Sequence, residues 1–96
     1  MKRGKIRAVS AKRRAQMVIY KKLRAEFLEA RPWCEYPEGC GQLATEVQHR
    51  RGRRGERLND VDWWAASCRA HNMQAEEDTG RALAIGWLVR IEGGAA

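Results

Sequence analysis

Between residues 10 and 29, Met17, Tyr20, Leu23, Phe27 and Leu28 recur at spacings of three and four, which is the period of one helix face. Ser10 stands just ahead of this run and is a residue type that caps helix N-termini by accepting a free backbone N–H. Arg31-Pro32 closes it, because the residue before a proline is pushed out of the helical region. The pattern predicts an amphipathic helix over residues 10–29 with one apolar stripe turned inward. Residues 44–50 alternate weakly and contain Thr45 and Val47, predicting a short strand, and residues 63–67 predict a second extended segment. Together they form a hairpin with a long connection. Residues 69–78 are good helix formers without a breaker, and Leu83, Ile85, Trp87 and Leu88 predict a last short helix or turn packed on the core over residues 81–89. Gly80 separates the two, and residues 93–96 read as a disordered end.

At 96 residues the chain is long enough for one small domain, and an apolar fraction of 44% excludes wholesale disorder. The organisation expected is a basic N-terminal arm and helix over residues 1–31, a metal-braced unit over residues 32–92 and the tail. No apolar run approaches the ~18 residues of a membrane span, and no apolar stretch follows the charges at the N-terminus as it would in a secretory signal. These features lead to the expectation of a soluble cytoplasmic protein with no membrane partner.

The charge is unevenly placed. Residues 1–31 hold 11 Lys and Arg against 2 Asp and Glu, whereas residues 32–96 hold 8 against 10. Lys12, Arg13, Arg14, Lys21, Lys22 and Arg24 fall mostly on the faces of the predicted helix away from its apolar stripe, where they are either an ordinary solvated surface or a phosphate-binding one. Inside the acidic remainder, Arg50, Arg51, Arg53, Arg54 and Arg57 cluster around Gly52 and Gly55. Five forked guanidinium groups on a glycine-containing loop can approach a phosphate backbone closely, so nucleic-acid contact is the expectation there. The four tryptophans, Trp33, Trp63, Trp64 and Trp87, are expected to pack in the core or around a metal site rather than to stack on bases.

Three cysteines cannot all pair with one another. Cys34 and Cys40 flank a turn containing Pro37 and Gly39, while Cys68 and His71 are separated by two residues at the start of a predicted helix. Cys34, Cys40, Cys68 and His71 make a complete Cys3His set for a closed, structural, tetrahedral Zn2+. The bland reading of the same residues is small buried hydrophobes beside a surface histidine.

The order Cys34…Cys40, then Thr45-Glu-Val-Gln-His-Arg50, the Gly52/Gly55 loop, Trp64-Ala-Ala-Ser-Cys68-Arg-Ala-His71 and Ala84-Ile-Gly-Trp-Leu88 resembles the small HNH endonucleases of bacteriophage genomes over roughly residues 10–90. The resemblance implies an α+β protein. Its core would be a ββα-metal, or His-Me finger, motif carrying an N-terminal basic helix and a structural zinc site. It also implies a metal-dependent DNA endonuclease working in the host cytoplasm, with DNA as its partner and a phage packaging or replication protein as a further one. His49 falls where the family has its general base. Gln48 falls where the family usually has a cation ligand, and Asn72 takes the ligand position on the helix, with Glu76 one turn on. These three would hold a catalytic Mg2+, Mn2+ or Ni2+. His71 stands in for the fourth zinc cysteine. The central Asn of the motif has no direct match. Trp63 aligns with it, and Asn59 and Asp60 are the nearby substitutes. The alternative is a catalytically silent relative that keeps the zinc fold and binds DNA or a protein partner.

Overall fold

A computed structural model describes residues 10–90. The expectations of a basic arm over residues 1–9 and a disordered end at residues 93–96 lie outside the described residues. The fold is α+β, with a two-stranded antiparallel sheet between a long helix and a pair of short ones.

Helix α1 (Ala11–Ala30) begins as the sequence indicates: Ser10 is extended and its hydroxyl accepts the Arg13 N–H at 3.0 Å. The helix ends where the Arg31 N–H closes on the Phe27 carbonyl at 2.9 Å, ahead of Pro32. Strands β1 (Glu46–His49) and β2 (Trp64–Ser67) pair in the register Glu46↔Ser67, Val47↔Ala66, Gln48↔Ala65 and His49↔Trp64. Because strand side chains alternate, this register sends Val47, Trp64 and Ala66 to one face and Ala65 to the other. Phe27, with Tyr20, Leu23 and Leu28 around it, covers the first face, and the Phe27 ring meets Trp64 edge-on at 5.3 Å. The second face packs on Tyr36, Ala75, Ala82 and Trp87, next to Cys34 and Cys40. The α1 stripe is thus half of a sandwich, and the Asn59 side chain fastens it further by donating to the Gln16 carbonyl at 3.0 Å.

The connection between the strands leaves β1 through Gly52, whose φ of 89° lies in the left-handed region that a side chain disfavours. It is not open loop throughout. Gly55–Asn59 and Val61–Trp63 form 3-10 turns, and Leu58 in the first of them is fully buried. Helix α2 (Arg69–Glu77) and helix α3 (Thr79–Ala84) follow. The break between them falls at Asp78 and not at Gly80. Asp78 takes non-helical dihedrals and its carboxylate accepts the Arg81 N–H at 3.1 Å, so Gly80 sits inside the first turn of α3.

Trp64 and Trp87 are core residues at 3% and 2% exposure. The same expectation fails for Trp33, which is 58% exposed beside an isolated bridge to Leu43. Trp63 is half-buried, with the Arg51 guanidinium over its ring at 4.7 Å and that of Arg50 at 5.6 Å. Among the described residues no helix is long and apolar enough to cross a membrane.

Candidate metal centre and the His49 cleft

Four ligand atoms from two chain segments converge beside the core cluster that contains Ala65 of β2. Cys34 and Cys40 flank the turn closed by the Gly39 N–H on the Tyr36 carbonyl at 2.9 Å, Cys68 is the N-cap of α2, and His71 lies in its first turn. The sulfur and nitrogen atoms of Cys34, Cys40, Cys68 and His71 all lie within 4.8 Å of one another. A tetrahedral ion about 2.3 Å from each sulfur would place neighbouring sulfurs roughly 3.8 Å apart. The Cys40–Cys68 separation is 3.9 Å, and His71 Nδ1 stands 3.8 Å from Cys34 Sγ and 3.3 Å from Cys68 Sγ. The donor set and its spacing can hold a metal ion such as zinc.

The electrostatics differ from one ligand to the next. Burial works to raise the Cys68 thiol, but donors outweigh it: the His71 amide at 3.4 Å and the other two thiols hold Cys68 below its ordinary value. A thiolate at a helix N-terminus is favoured by the unpaired amides there. Burial raises the Cys34 thiol, outweighing the Cys68 and Tyr36 backbone groups that lower it. Tyr36 stacks on the His71 ring with centroids 3.7 Å apart and so orients the imidazole, and the Trp87 indole donates to the His71 backbone carbonyl at 3.1 Å, which anchors the first turn of α2. Trp87 is therefore in the packing shell of this cluster. Tyr36 was not indicated by any sequence pattern.

His49 ends β1 and is 8% exposed. Its Nε2 lies 3.1 Å from the Leu58 carbonyl, which also accepts the Trp64 indole N–H at 3.0 Å. A carbonyl only accepts, so Nε2 carries the proton and Nδ1 the lone pair. Burial pushes the imidazole down to about 4, with Arg53 and Arg13 adding to that effect and the Leu58 and Val47 carbonyls opposing it. His49 is neutral at pH 7. Neither Asn59 nor Asp60 takes the orienting role expected of a substitute for the missing Asn. Asn59 donates to Gln16, and a backbone carbonyl orients the ring instead, which no side-chain motif can reveal.

His49 borders a cleft of about 270 Å³ along the unpaired edge of β1, and Gln48, Asn72 and Glu76 line it too. The expected cation residues are thus brought together, though not as three converging oxygens. Asn72 Nδ2 donates to Gln48 Oε1 at 2.9 Å and to the Val47 carbonyl at 3.2 Å, so the two amides are partners of each other, while Glu76 is exposed. Tyr20 and Glu46 also line this cleft. Tyr20 read as part of the apolar stripe, and its ring does lie 5.6 Å from that of His49 and 5.7 Å from that of Trp64.

Of the basic residues, Lys12, Arg13, Arg51, Arg53, Arg54 and Arg57 surround a second, wider cleft, between the start of α1 and the loop after β1. Arg50 is turned away, donating to the Gly86 carbonyl at 3.1 Å. Arg14, Lys21 and Lys22 are exposed on α1 and do not line this cleft. Comparison of the chain with known protein families, with curated proteins and with solved structures finds no match.

Proposed function

We propose that this protein is a metal-dependent DNA endonuclease of the HNH type. In this reading β1, β2 and α2 form a ββα-metal core braced by Zn2+ on Cys34, Cys40, Cys68 and His71. The observation that carries the reading is His49: a buried, neutral imidazole, held through one nitrogen by the Leu58 carbonyl, in a cleft with Gln48, Asn72 and Glu76. Nδ1 takes a proton from water. The water oxygen bonds to phosphorus as the bond to the leaving sugar oxygen breaks, and that oxygen is protonated from solvent. A divalent cation such as Mg2+, Mn2+ or Ni2+, held by Gln48, Asn72 and Glu76, would stabilise the charge that builds on the phosphate and the leaving oxygen. A phosphodiester near Arg53 would offset the charge that helps hold His49 low, moving its proton affinity toward the working range.

One observation favours a catalytically silent module that keeps the zinc fold and binds DNA or a protein such as a phage packaging or replication factor. Gln48 and Asn72 already satisfy each other, so a cation must displace their hydrogen bond. Nicking of supercoiled plasmid with each of the three cations separates the readings. Wild type should nick, and His49→Ala should lose at least ~100-fold in rate while DNA affinity and zinc content stay the same. Gln48→His restores an imidazole ligand and should raise activity more with Mn2+ or Ni2+ than with Mg2+. If neither wild type nor Gln48→His nicks with any cation, the silent module is the correct reading.

A further inference from the structure

The wider cleft has a volume of about 850 Å³ and is lined by six cationic side chains, Lys12, Arg13, Arg51, Arg53, Arg54 and Arg57, and by no acidic one. Like charges gathered around a concavity repel, so a surface built only for solubility would intersperse acids among them. Acids are used that way elsewhere. The ion pairs among the described residues join Arg24 and Arg69 to Glu46, Arg31 to Glu35 and Arg81 to Glu38, and none involves the six. Three buried side-chain atoms among the described residues lack a partner, and two of them are the Nε atoms of Arg51 and Arg57 in the wall of this cleft. The protein supplies neither of these N–H groups with an acceptor, so an anion drawn in by the two guanidinium groups would gain a partner there.

Two of the arginines are also held in place. Arg51 lies over the Trp63 ring and Arg53 over the Tyr20 ring, at 4.7 and 5.5 Å, so less freedom is lost when they bind. The first turn of α1 adds its N-terminal end at Ser10. Gly52 and Arg53 line both this cleft and the one that contains His49, so the two adjoin. A strand of repeating, negatively charged phosphodiesters fits such a pair of adjoining grooves, whereas a compact anion would fill only one.

We propose that the basic cleft is a phosphodiester-binding site for the same nucleic-acid strand that enters the His49 cleft, with Arg51 and Arg57 holding one backbone phosphate. The continuity with His49 rests on the nuclease reading, but binding at the cleft can be measured without catalysis. The test uses the zinc-loaded full chain with no added divalent cation, and fluorescence anisotropy with labelled single-stranded and duplex oligonucleotides between about 50 and 200 mM salt. Arg51→Gln/Arg57→Gln should weaken binding on the order of 10-fold or more and reduce the salt slope by roughly 0.7 to 0.9 for the one phosphate lost, the smaller value for a single strand. Lys21→Gln/Lys22→Gln removes the same charge from α1 outside the cleft and should do markedly less.

A single neutral methylphosphonate moved along one strand should weaken wild type at one linkage and have no effect at that linkage in Arg51→Gln/Arg57→Gln. Should that pair fail to fold, the exposed Arg53→Gln/Arg54→Gln replaces it. Equal losses from the cleft and the lysine variants, or no linkage whose effect depends on the variant, overturn the site. A polyglutamate peptide that binds wild type as tightly as the oligonucleotides, and loses that binding in Arg51→Gln/Arg57→Gln, overturns it in favour of an acidic protein partner. Wild type that binds in the manner expected yet never nicks sinks the nuclease alone. Wild type that nicks but binds no differently from Arg51→Gln/Arg57→Gln sinks this site alone.

Discussion

Lowering the pH charges His49 in the unfolded chain long before it does so in the folded one, and the cost can be worked out. The imidazole sits at about 4 in the fold against 6.5 when free. The folded value is the depressed one, so the stability linked to this group is fully present above 6.5, falls as pH drops, and is exhausted below about 4. Linkage over that interval amounts to roughly 3 kcal/mol in all, of which about 2 kcal/mol is lost between about pH 7.5 and pH 5. Arg53 is exposed and its share is screened by solvent, so about 1–2 kcal/mol is the figure expected near physiological salt. Metal binding is itself pH-dependent, so the measurement must be a difference. Urea unfolding of wild type and of His49→Gln, at both pH values with zinc saturating, isolates the His49 contribution. Wild type should lose more stability than His49→Gln by that amount. Equal losses, or a His49 ring that titrates near 6.5 by NMR, would refute a buried and neutral imidazole and with it the base assigned to the cleft.

The metal cluster predicts that the purified protein carries about one zinc, and that Cys68→Ser or chelation lowers the melting temperature sharply, because the binding energy of a structural site is folding energy. A metal-free preparation whose melting curve is unmoved by chelator would remove the site. Phe27→Ala should cost about 3 kcal/mol in urea unfolding, since it empties the contact between α1 and the sheet and deletes the ring set against Trp64. A cost under about 1 kcal/mol would mean that α1 is not docked.

The local elements were legible in the chain because each is dictated by neighbours in sequence. Ser10 and Arg31-Pro32 bound α1 through capping and the proline clash, and the strand and helix patterns, like the spacing within Cys34/Cys40 and within Cys68/His71, act over a few residues. Asp78 as the break was missed because Asp and Gly compete over two positions, and the carboxylate that accepts the Arg81 N–H decided it. Trp33 and Trp64 are the same residue type, and only the pairing of β2 against α1 determines which of them is buried. What tertiary structure alone decided is the state of the cleft. The Leu58 carbonyl that sets the His49 tautomer is a backbone atom nine residues away, and backbone acceptors leave no trace in side-chain identity. The pairing of Gln48 with Asn72 arises where α2 crosses the free edge of β1. The arginines divide in the same way. Sequence grouped Arg50 with its neighbours, but the fold turned Arg50 onto Gly86 and set Arg51, Arg53, Arg54 and Arg57 opposite Lys12 and Arg13, because charge composition counts residues whereas a groove depends on which side of the chain each one faces.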